Sequence, residues 1–272
     1  MLFLRKPMAF LKKDFLMEVS YRFSFVLQFA SIFFSVVMFY FVAKLLGEAP
    51  SVQNALRQYG GSYFSFVLIG IAFSNFLSVG LGSFSTSIRG EQMMGTLEAM
   101  LVTPTGLSNI ILSSSQWNFM FTSLRVGVYL LFGALLFGLD LSSANVLPAL
   151  VALALTVIAF SSLGIISASF IMIFKRGDPI AWVLSTSSTL LGGVYYPISI
   201  LPGWLQGISY LFPITYSLDA IRLSLLQGAG FLAVGHDLIA LIVFSIVTLP
   251  VSLLVFRYAV RRAKKDGSLS YY

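Results

Sequence analysis

The residues with the means to do chemistry in this chain are few, and the run that stands out among them is Arg89 to Pro104, RGEQMMGTLEAMLVTP. Two carboxylates, an arginine, two glycines and a Thr-Pro stop are crowded there between long apolar stretches. Read as a helix, Glu91, Gly95 and Glu98 share one face at i, i+4 and i+7, while Met93, Leu97 and Met100 share another. Gly95 removes a side chain between the two acids, where a second backbone could come close. Thr103-Pro104 ends the helix, because the residue before a proline is pushed out of the helical region. The chemistry on offer is recognition rather than bond-making: an acidic, notched surface for a cytoplasmic partner to grip. Two solvated acids would leave the same pattern, and the spacing alone does not separate the two readings.

Nothing else in the chain assembles into a catalytic constellation. There is no phosphate loop of the form GxxxxGK[ST], so ATP hydrolysis by that route is excluded for this chain. The single histidine, His236, reads as a surface residue or cap, and no HExxH, serine–histidine pair or acid cluster can be built around it. With no cysteine, disulfides, thiolate metal sites and cysteine nucleophiles are excluded. No catalytic or metal-ligating residue is assigned, and no cofactor is expected in the chain itself. Gly80-Leu81-Gly82 reads as backbone packing at a span end.

The elements that must position the acidic run are membrane helices. Of 272 residues 58% are hydrophobic and 10% charged, where a soluble domain carries about a quarter charged. Several windows of about 20 residues are almost free of charge, the length that crosses a bilayer as helix. The expected fold is all-α and polytopic, one transmembrane domain over 1–272 with no soluble domain, no internal repeat and no secretory signal. Spans are expected near 23–43, 62–84, 115–138, 148–174, 179–196 and 238–256, six in all. Ahead of them, residues 1–22 carry Leu4, Met8, Leu11, Phe15 and Val19 at helical spacing with Lys6, Lys13 and Ser20 opposite, which predicts an amphipathic helix lying in the interface. Residues 257–272 form a basic tail.

Charge sets the orientation. Arg5, Lys6, Lys12, Lys13 and Arg22 precede the first span, Arg257, Arg261, Arg262, Lys264 and Lys265 follow the last, and Arg89, Lys175 and Arg176 lie in the second and fourth connections. Only Lys44, Arg57 and Arg222 fall opposite. By the positive-inside rule both termini and the run 89–104 are cytoplasmic. The net charge of +7 therefore reflects topology and gives no ground for nucleic-acid binding.

The fifth span opens at Asp178-Pro179, an N-cap followed by proline at the first helical position. It ends near Tyr195-Tyr196-Pro197, which read either as interface anchors or as an aromatic gate. Between Ile198 and Asp237, Pro202 and Pro213 cut an apolar stretch into pieces too short to span. Trp204, Ile208 and Leu211 form one stripe and Leu218, Ile221 and Leu225 another. Two short helices dipping into the outer half of the bilayer and returning fit this best. Asp219 and Arg222, three apart, are placed to pair. Arg125 is the one charge expected well inside a span, at a cost of about 2.5–3.5 kcal/mol. It either faces a water-filled cavity or anionic headgroup, or snorkels and pairs with carbonyls at a helix interface. Gly164, Ala168 and nearby serines give the fourth span a small-residue face suited to close packing. No acidic residue falls within an expected span, which argues against a proton-coupled relay.

Taken together, GEQMMGTLEAMLVTP and GGVYYPISILPGWLQGISYLFPITYSLDAIR resemble the two signature blocks of the membrane-spanning subunits of type 2 ATP-binding-cassette (ABC) exporters, and the likeness covers nearly the whole chain. The resemblance implies a permease, paired with a second copy or a homologous permease, whose ATP and magnesium are bound by separate ATPase subunits. It assigns ATPase docking to Arg89, Glu91, Gly95, Thr96, Glu98 and Pro104, and makes the N-terminal helix an elbow. The outer pieces become re-entrant helices closing the exit; beside this, Tyr195, Tyr196, Pro197, Pro213, Asp219 and Arg222, along with Arg125, are the candidate residues of the transport pathway or its gate. Export across a bacterial inner membrane is implied in the same way. The apolar, aromatic-rich character points to an amphipathic or lipid-linked cargo such as a drug, glycolipid or lipid-linked glycan, in contact with membrane lipids. A secondary transporter or channel working without an ATPase, and an intramembrane lipid-modifying enzyme, are the competing classes.

Overall fold

The computed structural model describes residues 2–46, 49–93, 107–174 and 178–265, and among these residues all regular structure is helical. Helix α1, Leu2–Ser20, breaks at Tyr21 before α2, Arg22–Leu46. The first polar connection contains a short α3, Pro50–Ala55, and a 3-10 turn, Arg57–Tyr59. Gly60 and Gly61, both with positive φ (89° and 75°), then reverse the chain into α4, Tyr63–Met93. Helices α5, Leu107–Phe137, and α6, Val146–Phe174, follow, with Gly138 at φ 73° ending α5. The remainder is α7, Pro179–Leu191, a 3-10 turn at Ile198–Ile200, α8, Gly203–Ser209, α9, Pro213–Gln227, and α10, Gly235–Lys265.

Five of these helices are long and apolar enough to cross a membrane: α2, α4, α5, α6 and α10. The segment expected as the fifth span is shorter than its sequence suggested, because α7 has 13 residues, about 20 Å of helix against a hydrocarbon core of about 30 Å. It stops where Gly192-Gly193 follows, Gly193 having φ 77°, a conformation that does not continue a helix.

The helices alternate in direction. Toward one end Phe84 of α4, Ala168 and Met172 of α6, and Phe256 and Ala259 of α10 pack together. Toward the other, Ile69 of α4, Ala149 and Ala152 of α6, Ile221 and Leu225 of α9, and Leu238 and Leu241 of α10 form a second cluster. Hence α4, α6 and α10 run one way. Helices α2 and α5 run the other, with Phe25 beside Phe121 near their starts and Tyr40 beside Phe137 near their finishes. The end holding Arg22, Arg89 and Arg261 is called the basic end below, and the end holding 49–62, 138–145 and 192–234 the far end.

Helix α4 is the axis of the fold: 72% of its apolar window is buried, against 11% for α2 and 22% for α10. Its closest neighbour is α6. A Cβ on Gly164 would lie 2.1 Å from the Gly80 carbonyl oxygen, and one on Gly80 would lie 2.7 Å from Phe160 Cβ, so the two backbones touch. That contact is the close packing expected of Gly164, and of the Gly80-Leu81-Gly82 cluster Gly80 and the Leu81 carbonyl take part while Gly82 faces open space.

Candidate functional site

The acidic run begins differently from its sequence reading. Helix α4 does not stop before Arg89; it continues unbroken to Met93 and carries Arg89 and Glu91 with it. Arg89 is exposed and Glu91 lies in the same helix, so both ride on the tip of a span and do not open a separate helix. Helix α5 begins at Leu107. Residues 94–106 thus join the ends of two membrane helices at the basic end. Gly95, Thr96, Glu98 and Pro104 lie outside the described residues.

Arg125, on α5, is half-buried and stands apart from the other expected pathway residues. Its guanidinium donates to Gln28 Oε1 of α2, and Gln28 Nε2 donates in turn to Glu18 Oε1 of α1 at 2.6 Å. The Phe121 ring lies beneath it at 4.7 Å. This polar chain leads from inside the bundle to α1, whose Met8 (65% exposed) and Phe15 (50% exposed) face outward. Phe15 also meets Trp117 edge-on at 5.8 Å, setting α1 beside the start of α5.

The remaining pathway candidates gather at the far end around Arg222, which is 2% exposed. Asp219 and Arg222 do not pair directly. Arg222 spends its fork on three main-chain carbonyls: Nε donates to Phe66 O of α4 at 3.1 Å, Nη1 to Gly193 O at 2.8 Å and Nη2 to Val194 O at 3.0 Å. A buried cation is tolerable only when its donors are satisfied, and carbonyls left over past the last turn of α7 supply the need. The Phe66 ring lies against the guanidinium at 3.5 Å. Asp219 instead accepts from the Tyr59 hydroxyl. Burial, with the Asp219 carboxylate opposite, pushes the Tyr59 phenol well above its ordinary range and keeps it a donor.

Tyr195, Tyr196 and Pro197 follow immediately. Tyr195 stacks on Phe39 of α2 at 6.0 Å and 14°, Tyr196 donates to Leu190 O, and Pro197 is buried at the head of the 3-10 turn. Pro213 opens α9 at its first turn, where a missing N–H costs nothing. The two stripes between Ile198 and Asp237 diverge: Leu218, Ile221 and Leu225 are enclosed, whereas Trp204 and Leu211 are 70% and 69% exposed. Helix α9 therefore belongs to the core and α8 lies on its outside. Asp178 caps α7, accepting from Ala181 N at 2.9 Å, as its place before Pro179 predicts. His236 is exposed, 3.8 Å from Asp237.

Sequence reasoning missed three contributors. Tyr59 sits in a connection that reads as merely polar. Ser85 and Ser167 both reach Asp178 from spans where serine is unremarkable. Gly70 is a fourth case of necessity, since a Cβ there would lie 2.2 Å from Val194 O. The Tyr59-Gly60-Gly61 turn was the one available signal, because tandem glycines often mark a close approach.

Against known proteins, residues 8–226 match the model of the ABC-2 type transporter. The inner membrane transport permease YadH of Escherichia coli K12 is 27% identical over 164 residues, 60% of this chain and 63% of that protein. Nodulation protein J of Sinorhizobium fredii is 28% identical over 219 residues, 76% of this chain and 82% of its own. The putative transport permease ycf38 of Cyanophora paradoxa is 25% identical over 218 residues, 75% and 73% respectively. The chain thus matches less than two thirds of YadH's length. The family match begins in α1 and ends in α9, taking in both the α4 tip and the Arg222 cluster, and the chain belongs to the ABC-2 type transporter family of membrane proteins.

Proposed function

We propose that this chain is the permease subunit of an ATP-driven exporter, working as a pair with a second copy or a homologous permease. Separate ATPase subunits that bind ATP and magnesium supply the energy. The observation that carries the reading is that α4 runs unbroken through Arg89 and Glu91 to Met93 and helix resumes at Leu107, so 94–106 joins two membrane helices at the end rich in basic residues. A connection carried on two rigid helix ends can deliver a push into the membrane, whereas a loop on fraying ends would absorb it. Docking is assigned to Arg89, Glu91, Gly95, Thr96, Glu98 and Pro104. The basic end is the cytoplasmic one by charge, with α1 as interfacial elbow and both termini inside.

Helix α7 supplies the sixth crossing together with the turn after it. Asp178 lies level with Ser85 of α4 and Val194 level with Phe66 and Gly70, so the chain climbs alongside α4 from the basic end toward the far end. Helices α8 and α9 then serve as the outer, re-entrant closure, with Tyr195 to Pro197, Pro213, Asp219 and Arg222 about the exit. The cargo is amphipathic or lipid-linked, and Arg125 lies on its route. Two of the relatives are named transport permeases, which supports transport, and the name of YadH from Escherichia coli supports a bacterial inner membrane.

The mechanism is a two-state one. Closure of the ATPases on the acidic segment favours one arrangement of α4 and α5, and the two states must differ in contacts there or no work is transmitted. Glu98→Lys and Gly95→Leu are expected to abolish export and ATPase stimulation while the protein still reaches the membrane in normal amount. Parental ATPase stimulation by either purified variant would refute the docking assignment, and export that persists without any ATPase subunit would refute the whole reading.

A further inference from the structure

Helix α7 is tied to its neighbours at both ends. Capping α7 takes one hydrogen bond to Asp178, from Ala181 N. The carboxylate accepts two more, from Ser85 Oγ of α4 at 2.8 Å and from Ser167 Oγ of α6. Those serines are 3% and 0% exposed, so each hydroxyl is enclosed; Ser85 Oγ also lies 3.3 Å from Gly82 O of its own helix, a longer contact than the one to Asp178. At the other end Arg222 joins Val194 and Gly193, just past α7, to Phe66 of α4. Between the levels of Ser85 and Gly70, α4 and the α7 segment therefore run side by side for about 22 Å. Helix α6 packs directly against α4 there, Gly164 and Gly80 bringing their backbones into contact.

We propose that Asp178 is a positioning residue that carries displacement of the α4 tip into α7, and through it to the turn at 193–197. The proposal rests on the reading of 89–104 as the ATPase dock. Helix α4 ends in that dock and α7 leads to Tyr195, Tyr196 and Pro197, yet the two are not consecutive in sequence. The link between them at the basic end is the Ser85–Asp178–Ser167 junction. Were Asp178 only a cap, Ala181 N would be a sufficient partner and two buried serines on different helices would have no reason to converge on it. Broken on the α4 side alone, the junction leaves the cap intact and lets the α4 tip move without taking the start of α7 along.

The chain has no cysteine, so Ser199→Cys, exposed on the 3-10 turn beyond Pro197, is the single labelling site in this chain, read on its own band after electrophoresis. The complex purified from its native host with its co-purifying subunits, held in nanodiscs, is labelled with a fluorescent maleimide with and without ATP plus vanadate. The Ser199→Cys protein is expected to change its labelling rate with nucleotide. Adding Ser85→Ala is expected to shrink that change by about two- to thirty-fold, the range of coupling losses caused by mutations between sites. ATPase activity and complex recovery should stay parental, and Ser85→Thr, which keeps the hydroxyl, should restore the response. A full nucleotide response in Ser85→Ala would overturn the proposal, as would a loss of ATPase and recovery in the same proportion, which marks a merely structural bond. If Glu98→Lys abolishes the response while Ser85→Ala does not, the Asp178 link falls and the docking reading stands. No response in the Ser199→Cys protein itself would overturn both.

Discussion

Replacing Arg222 by methionine tests whether the far end is held by one side chain. The substitution keeps the length and apolar stem but removes all three donors. Phe66 O lies within α4 and has a helical partner for its other lone pair, so the loss falls on Gly193 O and Val194 O, which follow α7 without a continuing helix. Leaving a buried acceptor unmade costs about 1–3 kcal/mol, so two amount to about 4 kcal/mol. The charge of Arg222 also ceases to oppose that of Asp219, and breaking buried charge arrangements costs about 3–5 kcal/mol, the same order. For a chain of this size about 2–4 °C accompanies each kcal/mol, giving an expected fall of about 10 °C in melting temperature in detergent. Arg222→Lys should lie between, since an ammonium cannot span three carbonyls as a planar fork does. Melting of Arg222→Met within about 2 °C of the parent, less than 1 kcal/mol by the same conversion, would refute the reasoning.

Other outcomes follow from the same contacts. Gly164→Ala places a Cβ 2.1 Å from Gly80 O, where 3.4 to 4 Å is ordinary contact, so α4 and α6 must part. The expected loss is about 1–3 kcal/mol or more, read as a lower melting temperature, and an unshifted melt would show that the backbones do not touch. Tyr59→Phe removes the hydroxyl that Asp219 accepts from and should cost about 1–3 kcal/mol, while adding Asp219→Asn should recover part of it; simple additivity in the cycle would disprove the contact. Gln28→Leu strands Arg125 beside an apolar neighbour and should lower membrane yield, with Arg125→Leu restoring it; equal yields for all three proteins would detach the two residues. Arg125→Gln is expected to reduce export at ordinary expression, and full export would remove Arg125 from the route.

Much of the architecture was legible because membrane helices are specified locally. Lipid offers no partner for a free backbone group, so an uninterrupted apolar run near 23–43 or 148–174 has little choice but helix, and α2 and α6 lie where those runs do. Asp178 before Pro179 was legible for a similar reason, since an N-cap depends on the next three residues only. The break after α7 was harder, because Gly192-Gly193 inside an apolar stretch reads equally as packing or as a stop. The continuation of α4 to Met93 was masked by charge, which marks where a helix leaves the membrane without requiring that it end.

The chain's own letters determined that this is a helical membrane protein, how its basic residues sort between the two ends, and which short acidic run stands out. Those properties depend on hydration cost and on spacing along one helix, both readable one segment at a time. Folding alone decided that Arg222 would grip carbonyls from two other segments, that Asp219 would turn to Tyr59, and that Ser85 and Ser167 would meet on Asp178. Each of those partners is distant in sequence, and a buried hydrogen bond is chosen by whichever unsatisfied group packing brings within reach, not by the nearest residue of suitable charge.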